Sequence, residues 1–311
     1  MNITTIPTIK DFYQQLDQSF SQAKNQILIN TLELSGRHIY KTIGSTLITK
    51  LNQGCQVNVC VDLVGNTLAQ IHNHRLFSTP IISILKSKGA TTNYYRSGNP
   101  IFHNHAKIYI IDQQTIYLGG SNLSDHFLPW TDTNFKIVLS KPNPDLVHFY
   151  TQINQSSQNS FQTIYLDQEN TLHCHKQDRV FEQELLKLIN SSQKYLRLVT
   201  WMLLLSSEIS EAIIKAKQRG VDVQLVYSQS NFISPLSLIN FPGINHLKAH
   251  GISVKKSIPR YNHSKLYWNE HQAIIGSTNI DWPEFIVNTE IVLVSTSTKL
   301  VKDLNHLFTQ F

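Results

Sequence analysis

The chain is poor in cysteine and free of long apolar runs, and each absence excludes a class of protein. Three of its 311 residues are cysteine, Cys55, Cys60 and Cys174. An odd number without metal-ligand spacing argues against a disulfide framework and points to a reducing compartment. The longest apolar run, around Tyr195 to Leu205, is broken by Arg197 and Thr200. It falls short of the roughly 20 residues that cross a bilayer. No basic-then-apolar leader opens the chain, so neither a signal peptide nor an anchor is expected. The expected location is cytoplasmic or peripheral at a membrane. Low-complexity tracts, Lys/Arg runs, an evident base-stacking array and a cluster of Asp/Glu metal ligands are missing as well.

What is present is a stretch that occurs twice. Phe102-His103-Asn104-His105-Ala106-Lys107 leads through Ile108–Ile111 to Asp112, and Asn262-His263-Ser264-Lys265 leads through Leu266–Asn269 to Glu270. Each is trailed by a small-residue turn ending in Asn: Gly119-Gly120-Ser121-Asn122 and Gly276-Ser277-Thr278-Asn279. A chain with 14 His and 21 acids produces one His-x-Lys-x4-acid match by accident now and then. Two matches with the same trailer mark an internal duplication.

The repeat runs through the rest of the chain. After helix-like openings at Asp11–Lys24 and Arg179–Ser192 come strand candidates Gln26–Thr31 and Tyr195–Trp201. Helices ending in Gly54 and Gly220 follow, as a helix C-terminus before a strand favours. Then come the β-branched strands Val57–Val61 and Val221–Val226. Further helix–Gly–strand units pass through Gly89 and Gly251. The expected fold is α/β, with two duplicated lobes, each a mixed β-sheet flanked by helices, related by a pseudo-twofold with one active site between them. The lobes are expected at 1–157 and 158–311, joined in the Gln/Ser/Asn-rich stretch Ser156–Asn170. Loops Asn66–Pro80 and Ser228–Pro242 are candidate rims of the site.

Chemistry concentrates in the repeated motif. On a strand, residues two apart share a face, so His105 and Lys107 are expected to project together, as are His263 and Lys265. Two imidazoles in one cleft suit phosphoryl transfer: one attacks phosphorus while the other protonates the leaving oxygen. Lysine and asparagine side chains would hold the non-bridging oxygens. A nucleophilic imidazole needs its far nitrogen hydrogen-bonded. Glu290 is the expected orienter in the second copy, and either Asp132 or Asn134 in the first. Asp112 and Glu270 sit at hairpin turns and are expected to be structural. No metal and no cofactor is expected. Zinc is the weaker reading, resting on the unrepeated pairs His72/His74 and His173/His175. Trp201, Trp268 and Trp282 are expected to pack, with Trp130 and Trp282 near enough to line the cleft.

These residues resemble the phospholipase D superfamily. The stretches Gly119–Leu123 with Leu128-Pro129-Trp130-Thr131-Asp132-Thr133, and Gly276–Asp281 with Phe285 and Asn288-Thr289-Glu290, are similar to bacterial cardiolipin synthases. The resemblance implies a bilobal α/β sandwich and a covalent phosphohistidine intermediate. It implies His105 and His263 as nucleophile and general acid, the N-terminal copy attacking. Lys107, Lys265, Asn122, Asn279 and Ser277 would be phosphate contacts, with Gly120 supporting them where relatives carry Ser. Departures are Glu270 for the usual Asp, the shorter chain and the lack of N-terminal membrane helices.

The implied function is a phosphatidyltransferase or hydrolase. Its substrate would be an anionic phospholipid such as phosphatidylglycerol, its acceptor an alcohol or water, with peripheral membrane contact. The net charge of +6 and pI near 9.1 suit an anionic surface but equally nucleic acid. The alternative is a metal-independent endonuclease. A degenerate binding scaffold would have lost a motif residue, and all four are present.

Overall fold

The computed structural model describes residues 1–72, 81–96, 103–155, 162–176, 178–228, 235–257 and 261–311. Among these, two large mixed sheets carry the architecture. The first has the order Asn2–Ile6, Asn134–Val138, Thr115–Gly119, Ile108–Ile111, Gln26–Thr31, Gln56–Asp62, Thr91–Tyr95. The second repeats it as Asn170–Lys176, Thr289–Ser295, Ala273–Gly276, Leu266–Asn269, Tyr195–Thr200, Asp222–Tyr227, Ser253–Lys256, with Gln162–Tyr165 added at one edge. In each sheet the last three strands are parallel and the others antiparallel.

Both faces of each sheet are apolar because both are covered. On Ile108–Ile111, Ile108 and Ile110 enter a core shared by the two sheets, while Tyr109 enters the outer core of its own lobe. Leu266 and Trp268 face the shared core and Tyr267 the outer one. Helices Asp145–Ile153 and Thr298–Phe308 contribute Leu146, Phe149, Leu300 and Leu304 to the same shared core. Outer helices close the sandwich. Ile9–Gln22 buries Ile9, Phe12, Leu16 and Phe20 at helical spacing, and Thr8 caps it by accepting from Asp11 N at 3.1 Å. Burial of each such side chain contributes about 1.5–3 kcal/mol.

Two sequence expectations need correcting. Asn66–Pro80 and Ser228–Pro242 are not simply loops, since helices Leu63–His72 and Pro235–Ala249 occupy much of them. The first helix is held at its start by Asp62, whose Oδ1 accepts from Gly65 N at 2.7 Å. Residues 73–80, with His74, residues 229–234 and the 157/158 boundary lie outside the described residues. The join Ser156–Asn170 likewise contains a strand, Gln162–Tyr165, because Asp167 folds the chain back by accepting from Glu169 N and Asn170 Nδ2.

The motif acids tie neighbouring strands together. Asp112 accepts from the backbone N–H groups of Lys24, Asn25 and Gln26 at 2.8–2.9 Å. Glu270 accepts from those of Gln193, Lys194 and Tyr195 at 2.8–3.3 Å. Burial works against the Glu270 charge, but these amides outweigh it and hold the carboxyl below its ordinary range. The stabilisation is therefore present above the unfolded pKa and is lost as pH falls through the lower folded one. Glu270→Gln is expected to cost about 1–3 kcal/mol at neutral pH. The cost should shrink toward zero below pH of about 4. Urea midpoints of both proteins across that range check it.

Candidate active site

The motif histidines do not lie on regular strands. The strands begin at Ile108 and Leu266, and the segments just ahead of them are irregular. By register, Ile108 sits against Asn30 and Leu266 against Val199, which puts both segments at the carboxyl ends of parallel strands. Each segment pairs with the other copy. His105 N donates to Thr289 O at 2.9 Å and Thr289 N to His103 O at 2.8 Å. His263 N donates to Thr131 O and Thr131 N to Tyr261 O, both at 2.7 Å.

These bridges exchange the orienting acids. His105 Nδ1 lies 2.5 Å from Glu290 Oε1, and His263 Nδ1 lies 2.8 Å from Asp132 Oδ2. The sequence expectation had placed each acid on its own copy's histidine, and this is corrected. Asp132 serves the second copy's histidine and Glu290 the first's. Asn134 orients neither. Its Nδ2 donates to Ser121 Oγ at 2.7 Å, bracing the small-residue turn. With Nδ1–H given to a carboxylate, each imidazole keeps Nε2 for chemistry.

The remaining expected residues divide. Lys107 and Lys265 are buried, and each Nζ donates to the carbonyl of its own motif histidine at 2.5 Å, leaving two of its three N–H groups. Asn122 Oδ1 accepts from Thr31 Oγ1 and Leu32 N, which leaves its amide N–H groups to donate. Asn279 instead donates Nδ2 to Glu284 Oε1 at 3.0 Å. Ser277 is also committed: its Oγ donates to Glu290 Oε2 and accepts from Ile291 N. It supports the acid rather than offering a free hydroxyl. Gly120, at the matching place, leaves room for the shorter acid. A Cβ there would sit 2.6 Å from Asp132 Oδ2 and 2.8 Å from His263 O.

Three residues at the site were missed from sequence. Glu284, almost fully buried, brings Oε1 to 3.3 Å from His105 Nδ1. Counted from the motif histidine, its counterpart in the first copy is His126, and the neighbouring Phe127 places its ring centre 5.7 Å from that of His263. Trp201 was expected only to pack, yet its ring lies 5.3 Å from His263, beside Trp130 at 5.6 Å. Its place just beyond strand Tyr195–Thr200 was the available signal. Asp62 accepts from Asn104 N at 2.9 Å and lies 3.1 Å from His103 Nδ1, fixing the first motif from behind. Trp268 packs as expected, donating Nε1 to Asn305 Oδ1. The side chains of His72 and Trp282 lie outside the described residues.

The two histidines differ electrically. Burial and Lys107 oppose charge on His105, but Glu284 and Glu290 outweigh both and lift the pKa to about 9. Burial pushes His263 well below its ordinary value, and Lys265, Lys107 and His105 push the same way. Burial raises Asp132 to about 7 against Lys265, and raises Glu290 to about 7 with help from Glu284. Burial also takes Lys265 down to about 7. His105, Glu284 and Glu290 bring ligand-type atoms within 4.8 Å of one another. The 2.5 Å imidazole–carboxylate contact is a hydrogen bond that uses the very nitrogen and oxygen a cation would need. His173 and His175 instead contact the hydroxyls of Thr163 and Thr278.

Gly120→Ala would drive a methyl group into Asp132 and the His263 carbonyl. The expected cost is about 1–3 kcal/mol of stability, with loss of activity as Asp132 shifts. An unchanged denaturation midpoint would contradict the contact.

Comparison with known proteins now adds to this geometry. The family model described as cardiolipin synthase, PLD-like domain (PLD, phospholipase D) matches residues 16–164 and 185–311. Cardiolipin synthase 1 of Staphylococcus aureus is 24% identical over 318 residues, covering 94% of this chain and 64% of that protein. The major cardiolipin synthase ClsA of Bacillus subtilis is 23% identical over 318 residues, covering 93% and 64%. The chain thus spans just under two thirds of the length of these curated relatives. Phosphatidylserine synthase of Haemophilus influenzae Rd KW20 superposes with a TM-score of 0.72 at 13% identity, over 99% of this chain and 85% of that one. That likeness is one of fold. With the family model matched through both halves, the chain belongs to the cardiolipin synthase, PLD-like domain family.

Proposed function

We propose that this protein transfers a phosphatidyl group between alcohols, or to water, through a covalent phosphohistidine. The observation that carries the reading is the pair of imidazoles, each with Nδ1 fixed by a carboxylate from the opposite lobe and Nε2 left for reaction. One Nε2 attacks phosphorus and forms an N–P bond as the P–O bond to the leaving alcohol breaks. The other histidine gives that oxygen its proton. An acceptor alcohol or water then loses a proton to the second histidine, attacks phosphorus and releases the first. The spare N–H groups of Lys107 and Lys265, with the amide of Asn122, would meet the charge gathering on the non-bridging oxygens. Ser277, Gly120, Asn134 and Asn279 act behind this set by holding the acids and the turns.

A lipid substrate is supported by the family and by the surroundings of the site. Leu128 and Ile286, the residues after Phe127 and Phe285, are 36% and 39% exposed although apolar. Such side chains suit contact with a membrane surface, and a net charge of +6 suits an anionic one. Among the described residues no helix is long and apolar enough to cross a membrane.

The test is a product assay on phosphatidylglycerol vesicles with and without ethanol. Cardiolipin or phosphatidylethanol is expected, with turnover reduced roughly 10²–10⁴-fold in His105→Ala and His263→Ala. Phosphatidic acid alone would make the enzyme a hydrolase. No lipid turnover, with single-stranded DNA cut instead, would overturn the reading in favour of a nuclease.

A further inference from the structure

The duplicated lobes give the two histidines matching backbones and matching orienting acids, yet the side chains around them differ. Counted from the motif histidine, Glu284 in the second copy corresponds to His126 in the first, next to Phe127. Because acids and turns reach across the lobe boundary, Glu284 lies against His105 and Phe127 against His263. His105 Nδ1 therefore faces two carboxylates, Glu290 at 2.5 Å and Glu284 at 3.3 Å. His263 faces one, Asp132, with the rings of Phe127, Trp130 and Trp201 packed around it.

Glu284 is built into this place. Asp281 Oδ1 accepts from its backbone N–H at 2.9 Å, and its carboxylate oxygens receive Asn279 Nδ2 at 3.0 Å and Asn288 Nδ2 at 3.3 Å. We propose, on the basis of the phosphatidyl-transfer reading, that Glu284 breaks the symmetry between the copies: it makes His105 the proton donor and leaves His263 as the nucleophile. This reverses the assignment that the family resemblance implies.

The chemistry follows from what surrounds each ring. A proton donor must begin the reaction as imidazolium, with Nδ1–H and Nε2–H both present. Two carboxylates at Nδ1 favour that form, with Lys107 opposing it. A nucleophile must begin neutral with an Nε2 lone pair. His263 is enclosed by aromatic rings, and of its charged neighbours Lys265, Lys107, His105 and His126 all disfavour imidazolium, leaving Asp132 to hold Nδ1–H. His263 Nε2 forms the bond to phosphorus. His105 Nε2 delivers its proton to the leaving oxygen and takes one back from the acceptor in the second step, so protons and bonds balance over the cycle. Glu284 touches neither phosphorus nor the leaving oxygen and acts through His105. It is a positioning residue.

The test compares phosphatidylglycerol with phosphatidyl-p-nitrophenol, whose leaving group departs as an anion and needs no proton donor. His105→Ala is expected to lose roughly 10²–10⁴-fold on phosphatidylglycerol but less than about 10-fold in the single-turnover burst of nitrophenolate, which precedes the step that needs His105 as base. His263→Ala should lose both. Mass spectrometry of wild-type enzyme quenched and digested at alkaline pH, where the N–P bond survives, should place the phosphatidyl adduct on His263. Glu284→Gln should follow His105→Ala in milder form, losing more on phosphatidylglycerol than on the nitrophenyl ester, with Glu284→Asp restoring part of the difference. Equal losses on both substrates would reduce Glu284 to a structural role and overturn its part. An adduct on His105, or a His263→Ala enzyme that still releases nitrophenolate while His105→Ala does not, would overturn the assignment and leave the phosphatidyl-transfer reading intact. Wild-type enzyme inert toward both esters, with no adduct, would instead refute that underlying reading and this assignment with it.

Discussion

The structure depends on an exchange of acids between lobes. Each motif segment forms a two-bond backbone bridge to the other copy, and that bridge delivers a carboxylate to the histidine beside it. Neither lobe supplies both a motif histidine and the acid that orients it. The shared apolar core between the sheets therefore does more than stabilise the fold, because it fixes the distance over which the two half-sites complete each other. An error of an ångström in lobe packing would separate both imidazoles from their partners at once.

The exchange also explains how so much charge is buried in one place. Lys107, Lys265, Asp132, Glu284 and Glu290 are all buried. Isolated, each would cost several kcal/mol to desolvate. Here the carboxylates of one lobe offset the cations of the other, and backbone carbonyls take one proton of each ammonium. Burial still tells: it raises Asp132 and Glu290 and lowers both lysines. Groups near the middle of the pH scale are what proton transfer at neutral pH requires.

Much of the fold was legible because the chain states it twice. Strand Gln26–Thr31 was read to the residue, and Tyr195–Thr200 to within one, since each is a short apolar run that follows a helix-like stretch and a polar break. The structural part of Asp112 and Glu270 followed from their turn positions. The partner of each histidine was less accessible. Asp132 lies 27 residues after His105, and Glu290 27 after His263. That equality was a signal for Asp132 over Asn134, but no spacing within a copy says which lobe's imidazole an acid will meet. The family resemblance implied Ser277 and Asn279 as phosphate contacts, and only packing reveals that the Ser277 hydroxyl is given to Glu290 and an amide N–H of Asn279 to Glu284. Glu284 escaped for the opposite reason. A search for what is repeated passes over a residue whose counterpart is His126, and the same is true of Trp201. In a duplicated protein the positions that differ between copies are where the two half-sites divide their work.

The central claim is that the acids cross between lobes, and the Nδ1–H protons of the two histidines report it most directly. Nitrogen-15 NMR of the imidazoles in wild type, Glu290→Gln and Asp132→Asn would assign each partner. The account predicts that Glu290→Gln perturbs the Nδ1–H of His105 and leaves that of His263 in place, with Asp132→Asn doing the reverse. Perturbation of His263 by Glu290→Gln, with His105 unmoved, would contradict it.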